Sequence, residues 1–175
     1  MTCPSPPSPS EQRLLCGRAL VLGDHVNADL LHPPAFFSLD VTRLRAGFLA
    51  GLGRETDASS DGTTWIVVAG RNFGCGSSRE TTVDALRRGG VVAVVAPSFG
   101  RIFRRTAAAL GVPCFVSQGS LAEVLPDEEL VLDAALACLV AGGGARRIAL
   151  EAPDPFLEAV HAAGGLLEWL GHRRS

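Results

Sequence analysis

Short runs of Val, Ile and Leu alternate with polar, amphipathic segments over residues 13–118. An apolar run that is bounded by glycine or proline is typical of a buried strand. The pattern therefore predicts four strands, in RLLCGRALVLG, TTWIVVA, VVAVV and VPCFV, at residues 13–23, 63–69, 91–95 and 112–116.

Three helices are predicted between these strands, over residues 38–53, 79–89 and 98–111. Ser38 or Asp40 is expected to cap the first helix and Ser98 the third, because their side-chain oxygens can accept from free N–H groups of the first turn. Strands that alternate with helices through short links indicate an α/β fold with a mainly parallel sheet.

The pattern changes after about residue 119. Leu- and Ala-rich segments up to residue 152, interrupted by Gly142–Gly144, predict a β-meander, although LDAALACLVA also fits a helix. A terminal amphipathic helix is expected to begin at Asp154 and to break at Gly164–Gly165.

The chain has 175 residues, of which 47% are hydrophobic, and this is enough for one buried core. Residues 1–12, MTCPSPPSPSEQ, are rich in proline and serine and are predicted to be a disordered tail. Residues 13–175 contain no clear boundary, so we expect them to form a single domain.

Charge and cysteine content exclude several classes of function. A net charge of −2 offers no basic surface for nucleic acid or for an anionic membrane, so neither is expected as a partner. No apolar run approaches the roughly 20 residues that a transmembrane helix requires. The five cysteines include no C-x-x-C pair and no histidine at metal-site spacing, so no metal site is expected in this chain. Their odd number favours a reducing compartment, and we expect a cytoplasmic protein.

The segment GRNFGCGSSRE, residues 70–80, joins the second predicted strand to a predicted helix. Backbone N–H groups at a helix start attract anions, and glycines let a ligand come close to them. Arg79 adds a planar fork that suits a carboxylate or a phosphate. The alternative is a tight turn in which Ser77 caps the helix and Arg79 pairs with Glu80 or with solvent. The phosphate-loop and dinucleotide-binding patterns are both absent.

A second polar cluster lies in GDHVNADLLHP, residues 23–33, after the first predicted strand. Loops at the carboxyl ends of strands collect ligands in open α/β sheets. The alternative is a network of Asx-type turns, and we expect His25 and His32 to lie at the surface. The clustered polar residues are Asp24, His25, Asn27 and Asp29.

Three segments occur in the order and at about the spacing found in one family: GDHVNADLLHP, NFGCGSSRE and APSFGRIFRRTAAALGVP. Together with the ending PFLEAVHAAGGLLEWL, they resemble the small subunit of 3-isopropylmalate dehydratase, which is the swivel domain of the aconitase superfamily. The resemblance spans about residues 14–170. It implies a single swivel-type β/β/α domain within the α/β class.

The resemblance implies a hydro-lyase that interconverts 2- and 3-isopropylmalate in leucine biosynthesis by removing water and adding it back. It further implies a large subunit as partner, in a heterodimer or heterotetramer. Hydroxide is a poor leaving group. In the family, an iron of a four-iron, four-sulfur cluster held by the large subunit binds it as a Lewis acid. No cofactor is then expected on this chain itself.

The resemblance also assigns roles in the glycine-rich segment. Ser77 matches the base that removes a proton next to a carboxylate, and a helix N-terminus with nearby Arg79 would favour its alkoxide. Ser78 and Arg79 match binders of the substrate carboxylate, and Gly76 is expected to let the backbone approach it. Asp29 matches an acidic residue that orients groups of the catalytic site.

Phe36 and Phe37 match a pair that contacts the substrate side chain, and Ser38 stands where related chains carry an arginine. Loss of that positive charge favours an apolar substituent such as isopropyl, but a bulkier alkyl or aryl malate also fits. Ala28 and Thr81 depart from the family pattern as well. These departures leave open a subunit that binds an anion without turnover.

Overall fold

The computed structural model of the chain describes residues 14–38, 40–53, 62–76 and 79–172. The predicted tail over residues 1–12 lies outside these residues.

Among the described residues, seven strands form one sheet in the order β4-β3-β2-β1-β5-β6-β7. The pairs β1/β2, β2/β3 and β3/β4 are parallel, whereas β1/β5, β5/β6 and β6/β7 are antiparallel. The sheet is therefore mixed, because the predicted meander extends the parallel half instead of standing apart from it. The strands are β1 (Leu14–Val21), β2 (Trp65–Val68), β3 (Val91–Ala96), β4 (Cys114–Val116), β5 (Glu129–Asp133), β6 (Cys138–Ala141) and β7 (Arg146–Ala149).

Six α-helices connect or follow these strands in the described part of the chain, and none is both long and apolar enough to cross a bilayer. Short 3₁₀ turns cover Pro34–Phe36, Ala50–Leu52 and Gly142–Gly144. The helices are α1 (Ala28–Leu31), α2 (Val41–Ala46), α3 (Glu80–Arg88), α4 (Arg101–Ala109), α5 (Pro155–Ala162) and α6 (Leu166–His172).

The helix predicted over residues 38–53 is shorter in the structure. Asp40 caps α2 by accepting a hydrogen bond from the Thr42 amide at 2.8 Å, whereas Ser38 accepts from the Asp40 amide instead. The helix ends before Gly47, and Leu49 adopts a left-handed backbone with φ of 59°, which no α-helix continues through.

The predicted cap of α4 is wrong. Gly100, not Ser98, occupies the N-cap position of this helix. The Ser98 hydroxyl accepts instead from the Asn72 amide at 2.9 Å, so it joins two loops rather than starting a helix.

The sheet has a hydrophobic core on each face, because alternate residues of a strand point to opposite sides. Val67 and Val94 pack with α1, α3 and α4 on one face, and Ile66 and Val95 pack with Leu139 on the other. The two edges of the sheet also meet, since Gln118 and Glu151 donate backbone hydrogen bonds to Ala149 and Val116. The sheet therefore curves around its second core.

Leu136 and Leu139 distinguish the meander from the helix that this segment also fits. A helix would place two residues three positions apart on one face. In the structure Leu139 is 0% exposed in β6, and Leu136 is 67% exposed in the preceding turn.

We expect Leu139→Ala to lower the free energy of unfolding by about 2–5 kcal/mol and Leu136→Ala by less than about 0.5 kcal/mol in urea denaturation. Equal losses would contradict the meander.

Candidate active site

Three loops lie side by side at the carboxyl ends of the parallel strands. The Gly74 amide donates to the Val26 carbonyl at 2.9 Å, and the Ala28 amide donates to the Cys75 carbonyl at 3.0 Å. Backbone pairing of β1 with β2 thus continues past the ends of both strands. The loops are the first loop (residues 22–27), the glycine loop (residues 69–79) and the third loop (residues 97–100).

The third loop holds the glycine loop from its other side. The Phe73 amide donates to the Ser98 carbonyl at 3.0 Å, and the Gly100 amide donates to the Phe73 carbonyl at 2.8 Å. The Phe73 ring is 0% exposed and lies edge-on to Phe103 of α4, with ring centroids 5.2 Å apart. The glycine loop is therefore anchored in the core at its centre.

Asp24 and His25 bind the glycine loop directly. The Asp24 carboxylate accepts from the Arg71 amide at 2.7 Å and pairs with the Arg71 guanidinium at 3.2 Å. These interactions lower the pKa of the Asp24 carboxyl group, the backbone hydrogen bond most strongly. The His25 ring lies 3.2 Å from the Asn72 side-chain amide. Asp24 and His25 thus have structural partners in the glycine loop.

Asn27 connects two predicted site residues. Its side-chain oxygen accepts from the Asp29 amide at 2.9 Å and caps α1, as the predicted Asx-type turn requires. Gly76, at φ of +88°, has no side chain, and a Cβ there would lie 2.8 Å from the same oxygen. Asn27 was not predicted as a site residue, although an Asn directly before an apolar helical segment is a cap signal that could have identified it.

Asp29 has one carboxylate oxygen that is buried and has no hydrogen-bond partner among the described residues. A buried acceptor without a partner is costly unless a ligand, a water molecule or another group completes it. Asp29 follows Asn27 in the first turn of α1, which places it beside the glycine loop.

Arg79 occupies the N-cap position of α3 and makes no capping hydrogen bond with its side chain. Its guanidinium carbon lies 4.6 Å from the centre of the Phe37 ring. Among the described residues it forms no ion pair with a carboxylate, so the alternative pairing with Glu80 is not observed. The exposed guanidinium is thus available to an anion at the helix start.

Phe36 and Phe37, the predicted pair, have different surroundings. Phe37 contacts Arg79. Phe36 lines a cavity of about 1010 Å³ together with Phe48 and Trp65, and no described residue of the glycine loop lines that cavity. The division follows from the 3₁₀ turn that ends at Phe36, after which Phe37 has an extended backbone.

The prediction that His32 lies at the surface is wrong. His32 is 0% exposed, and its Nε2 atom lies 3.1 Å from the Leu44 carbonyl oxygen of α2. Burial lowers the pKa of the imidazole, although the Leu44 hydrogen bond opposes this effect. His25, in contrast, is exposed as expected.

Ser77 and Ser78, the predicted base and its neighbour, lie outside the residues that the structure describes. Their roles therefore stay predictions. Gly76 and Arg79, on either side of them, are both described.

The described residues contain no group of three or more His, Cys, Asp or Glu side chains that could hold a metal ion. The described cysteines, at positions 16, 75, 114 and 138, are free thiols distributed over the fold. These residues do not fit an iron–sulfur cluster, which needs several converging thiolates.

Comparisons with known proteins match this architecture. A family model described as the aconitase C-terminal domain matches residues 52–113. The small subunit 2 of 3-isopropylmalate dehydratase from Methanopyrus kandleri is 38% identical over 87% of this chain and 90% of its own length. The chain belongs to the small-subunit family of 3-isopropylmalate dehydratase. The expected family and hydro-lyase class are thereby confirmed.

Other relatives extend the comparison. The small subunit from Moorella thermoacetica is 40% identical, but the match spans only 62% of this chain and 65% of the relative. A homoaconitase small subunit from Methanocaldococcus jannaschii is 34% identical over 92% of this chain and 94% of its own length. The crystal structure of a 3-isopropylmalate dehydratase from the same organism superposes with a TM-score of 0.83 at 31% identity, covering 92% of this chain and 95% of the other. The swivel-type α/β fold is thereby confirmed. The name "small subunit" implies a large subunit for each relative that carries it.

Gly74 tests how tightly the glycine loop packs on α4. A Cβ at Gly74 would overlap the Phe103 ring, and φ is +71°; Gly143 has a similar φ of +62°, but a Cβ there would meet nothing within 4 Å. An alanine at either position incurs about 1–2 kcal/mol for its left-handed backbone, and Gly74→Ala adds about 1–3 kcal/mol of overpacking. Urea denaturation should therefore show a larger loss of stability for Gly74→Ala than for the matched control Gly143→Ala. A similar loss in both would mean that the loop has room for a side chain.

Proposed function

We propose that this chain is the catalytic small subunit of a 3-isopropylmalate dehydratase-type enzyme in leucine biosynthesis. The observation that carries the proposal is the meeting of the first loop with the glycine loop. Asp29, Gly76 and Arg79 lie there at the carboxyl ends of parallel strands, on elements that share backbone hydrogen bonds. The family of the chain supports a hydroxy acid as the ligand.

The reaction removes a proton from the carbon next to a carboxylate and hydroxide from the neighbouring carbon, which leaves a double bond. Water then adds back with the opposite placement of hydrogen and hydroxyl. The carbon acid is weak, so a precisely placed base and charge stabilisation are both needed.

The residues of this chain divide these tasks. Arg79 holds a substrate carboxylate with its guanidinium fork, assisted by Ser78 and by the amides at the start of α3. Ser77, two positions before Arg79, takes the proton as an alkoxide that the same positive groups stabilise. Asp29, one of whose buried carboxylate oxygens has no partner among the described residues, orients these groups. Gly76, which has no side chain, lets the loop backbone pass close to Asn27 and approach the substrate.

The partner is a large subunit that carries a four-iron, four-sulfur cluster. That cluster would supply the Lewis acid for the departing hydroxide, since the described residues of this chain include no group that could hold a metal ion. A heterodimer or a heterotetramer, located in the cytoplasm, is the assembly that we propose.

A second candidate is the same chemistry on a different 2-substituted malate. Two observations favour keeping it. Relatives of similar identity are named homoaconitase small subunits. Phe37 contacts Arg79, whereas Phe36 lines the cavity that Phe48 and Trp65 also line. The two rings therefore do not form one pocket for the side chain of the substrate.

The proposed function is tested by reconstitution with the large subunit. We expect the chain alone to be inactive and the assembled enzyme to interconvert 2- and 3-isopropylmalate, as followed by chromatography. Ser77→Ala should lower kcat of the assembled enzyme by about 10²- to 10⁴-fold, because it removes the proposed base.

Ser120→Ala is the matched control for this variant. Ser120 is exposed, its hydroxyl accepts a local bond from the Ala122 amide at 3.3 Å, and it belongs to none of the three loops. Its kcat should equal that of the wild type. A near wild-type kcat for Ser77→Ala would remove Ser77 as the base, and an inactive wild-type assembly on every malate tested would remove the enzyme proposal.

Ser38 tests the choice of substrate side chain. The Ser38 hydroxyl accepts from the Asp40 amide at 3.0 Å, so this position carries no charge. We expect the assembled wild-type enzyme to prefer apolar 2-alkylmalates. Ser38→Arg should raise kcat/KM for malates with an acidic substituent, relative to kcat/KM for 2-alkylmalates, by about tenfold or more. One favourable contact between opposite charges is enough for a tenfold change. Ser38→Thr should leave the ratio unchanged. A preference of the wild type for acidic substituents would favour the second candidate.

A further inference from the structure

His32, Phe37 and Arg79 form a row of contacts beside the site, in which Phe37 contacts both the His32 ring, five positions before it, and the Arg79 guanidinium at the start of α3. The rings of His32 and Phe37 are stacked, with centroids 5.4 Å apart and an interplanar angle of 24°. The guanidinium carbon of Arg79 lies 4.6 Å from the centre of the Phe37 ring. Phe37 is thus in contact with a buried imidazole and with an exposed cation.

The imidazole of His32 is held firmly. It is 0% exposed, and Nε2 lies 3.1 Å from the Leu44 carbonyl oxygen. Because a carbonyl only accepts, the neutral ring carries its proton on Nε2. A Cβ at Gly47 would lie 2.5 Å from the Cδ2 atom of His32, so the absence of a side chain at Gly47 makes room for the ring.

The other end of the row is loosely held. Arg79 is exposed and its side chain makes no capping bond, while Phe37 is half-buried on an extended stretch of backbone after the 3₁₀ turn. A long, exposed arginine loses several rotamers when it binds an anion, and a surface that preorganises it reduces that cost. A ring face is such a surface, because its quadrupole attracts a guanidinium.

We propose that His32 is a positioning residue for Arg79. Its buried ring fixes the plane of Phe37, and the face of Phe37 in turn holds the Arg79 guanidinium at the start of α3. The inference rests on the proposed function for the carboxylate that Arg79 binds. It assigns no contact between His32 and the substrate.

Two substitutions separate the ring of His32 from its hydrogen bond. His32→Phe keeps an aromatic ring and loses the donor to Leu44, whereas His32→Gln keeps a donor of similar reach and loses the aromatic ring. If stacking matters, the Phe variant behaves like the wild type and the Gln variant does not. If only the hydrogen bond matters, the order is reversed, and the proposal is wrong.

The first measurement uses the full chain without its partner. Protons of a guanidinium that lies over an aromatic ring resonate upfield. We therefore expect a displaced Arg79 Nε–H signal, which Arg79→Lys removes and so distinguishes from that of Arg18, whose guanidinium carbon lies 5.8 Å from the centre of the Trp65 ring. The displacement should persist in His32→Phe and disappear in His32→Gln and in Phe37→Leu. An undisplaced signal in the wild type, or a displacement that survives in folded His32→Gln, would overturn the proposal.

The second measurement uses the assembled enzyme. Arg79 binds the carboxylate before and during the reaction, so loosening it should raise KM by about three- to tenfold and change kcat by less than about twofold. His32→Gln and Phe37→Leu should show this effect, and their double variant should be no worse than Phe37→Leu alone, because both act through one contact. An unchanged KM in folded His32→Gln would also contradict the proposal. If the assembled wild type has no activity, the proposed function fails while the spectrum still decides the positioning role.

Discussion

Backbone hydrogen bonds between the first loop and the glycine loop hold the candidate site together. They continue the β1/β2 pairing beyond the strands. The backbone of the glycine loop must therefore lie within hydrogen-bonding distance of the backbone around Asn27. Gly76 meets this requirement with a positive φ angle and without a side chain, and Gly74 in the same way leaves room for the Phe103 ring of α4. Asp29 and Arg79 are then placed by the starts of α1 and α3, since each follows the same paired segment.

The charges near these loops serve two purposes. Asp24 and Arg71 neutralise each other where the glycine loop begins, and their contact stabilises the loop at neutral pH. Arg79 lies at the other end of the loop without a carboxylate partner among the described residues. One arginine of the loop is therefore structural, and the other remains available for a ligand that brings its own negative charge.

The mixed sheet explains how a domain of this size supports such a site. Its parallel half ends in the three loops, and its antiparallel half curves back so that the end of β4 bonds to the end of β7: Gln118 donates to Ala149, and Glu151 donates to Val116. Both faces of the parallel strands are buried, which gives the loops a rigid base. Precise placement of polar groups is what catalysis by electrostatic stabilisation needs.

The sequence alone determined the four parallel strands, the meander, the glycine break in the terminal region and the family, because these depend on local periodicity and on motifs that are continuous in the chain. The sequence also predicted Asp29, Gly76 and Arg79 as site residues, because acidic, glycine and arginine residues after a strand or at a helix start are typical of ligand-binding loops. Only the tertiary structure decided that Asp40 caps α2, that Ser98 joins two loops, that His32 is buried and that Phe36 and Phe37 separate. Each of these outcomes depends on a partner that is distant in sequence or on a competing donor nearby, and periodicity along the chain contains no information about which partner wins.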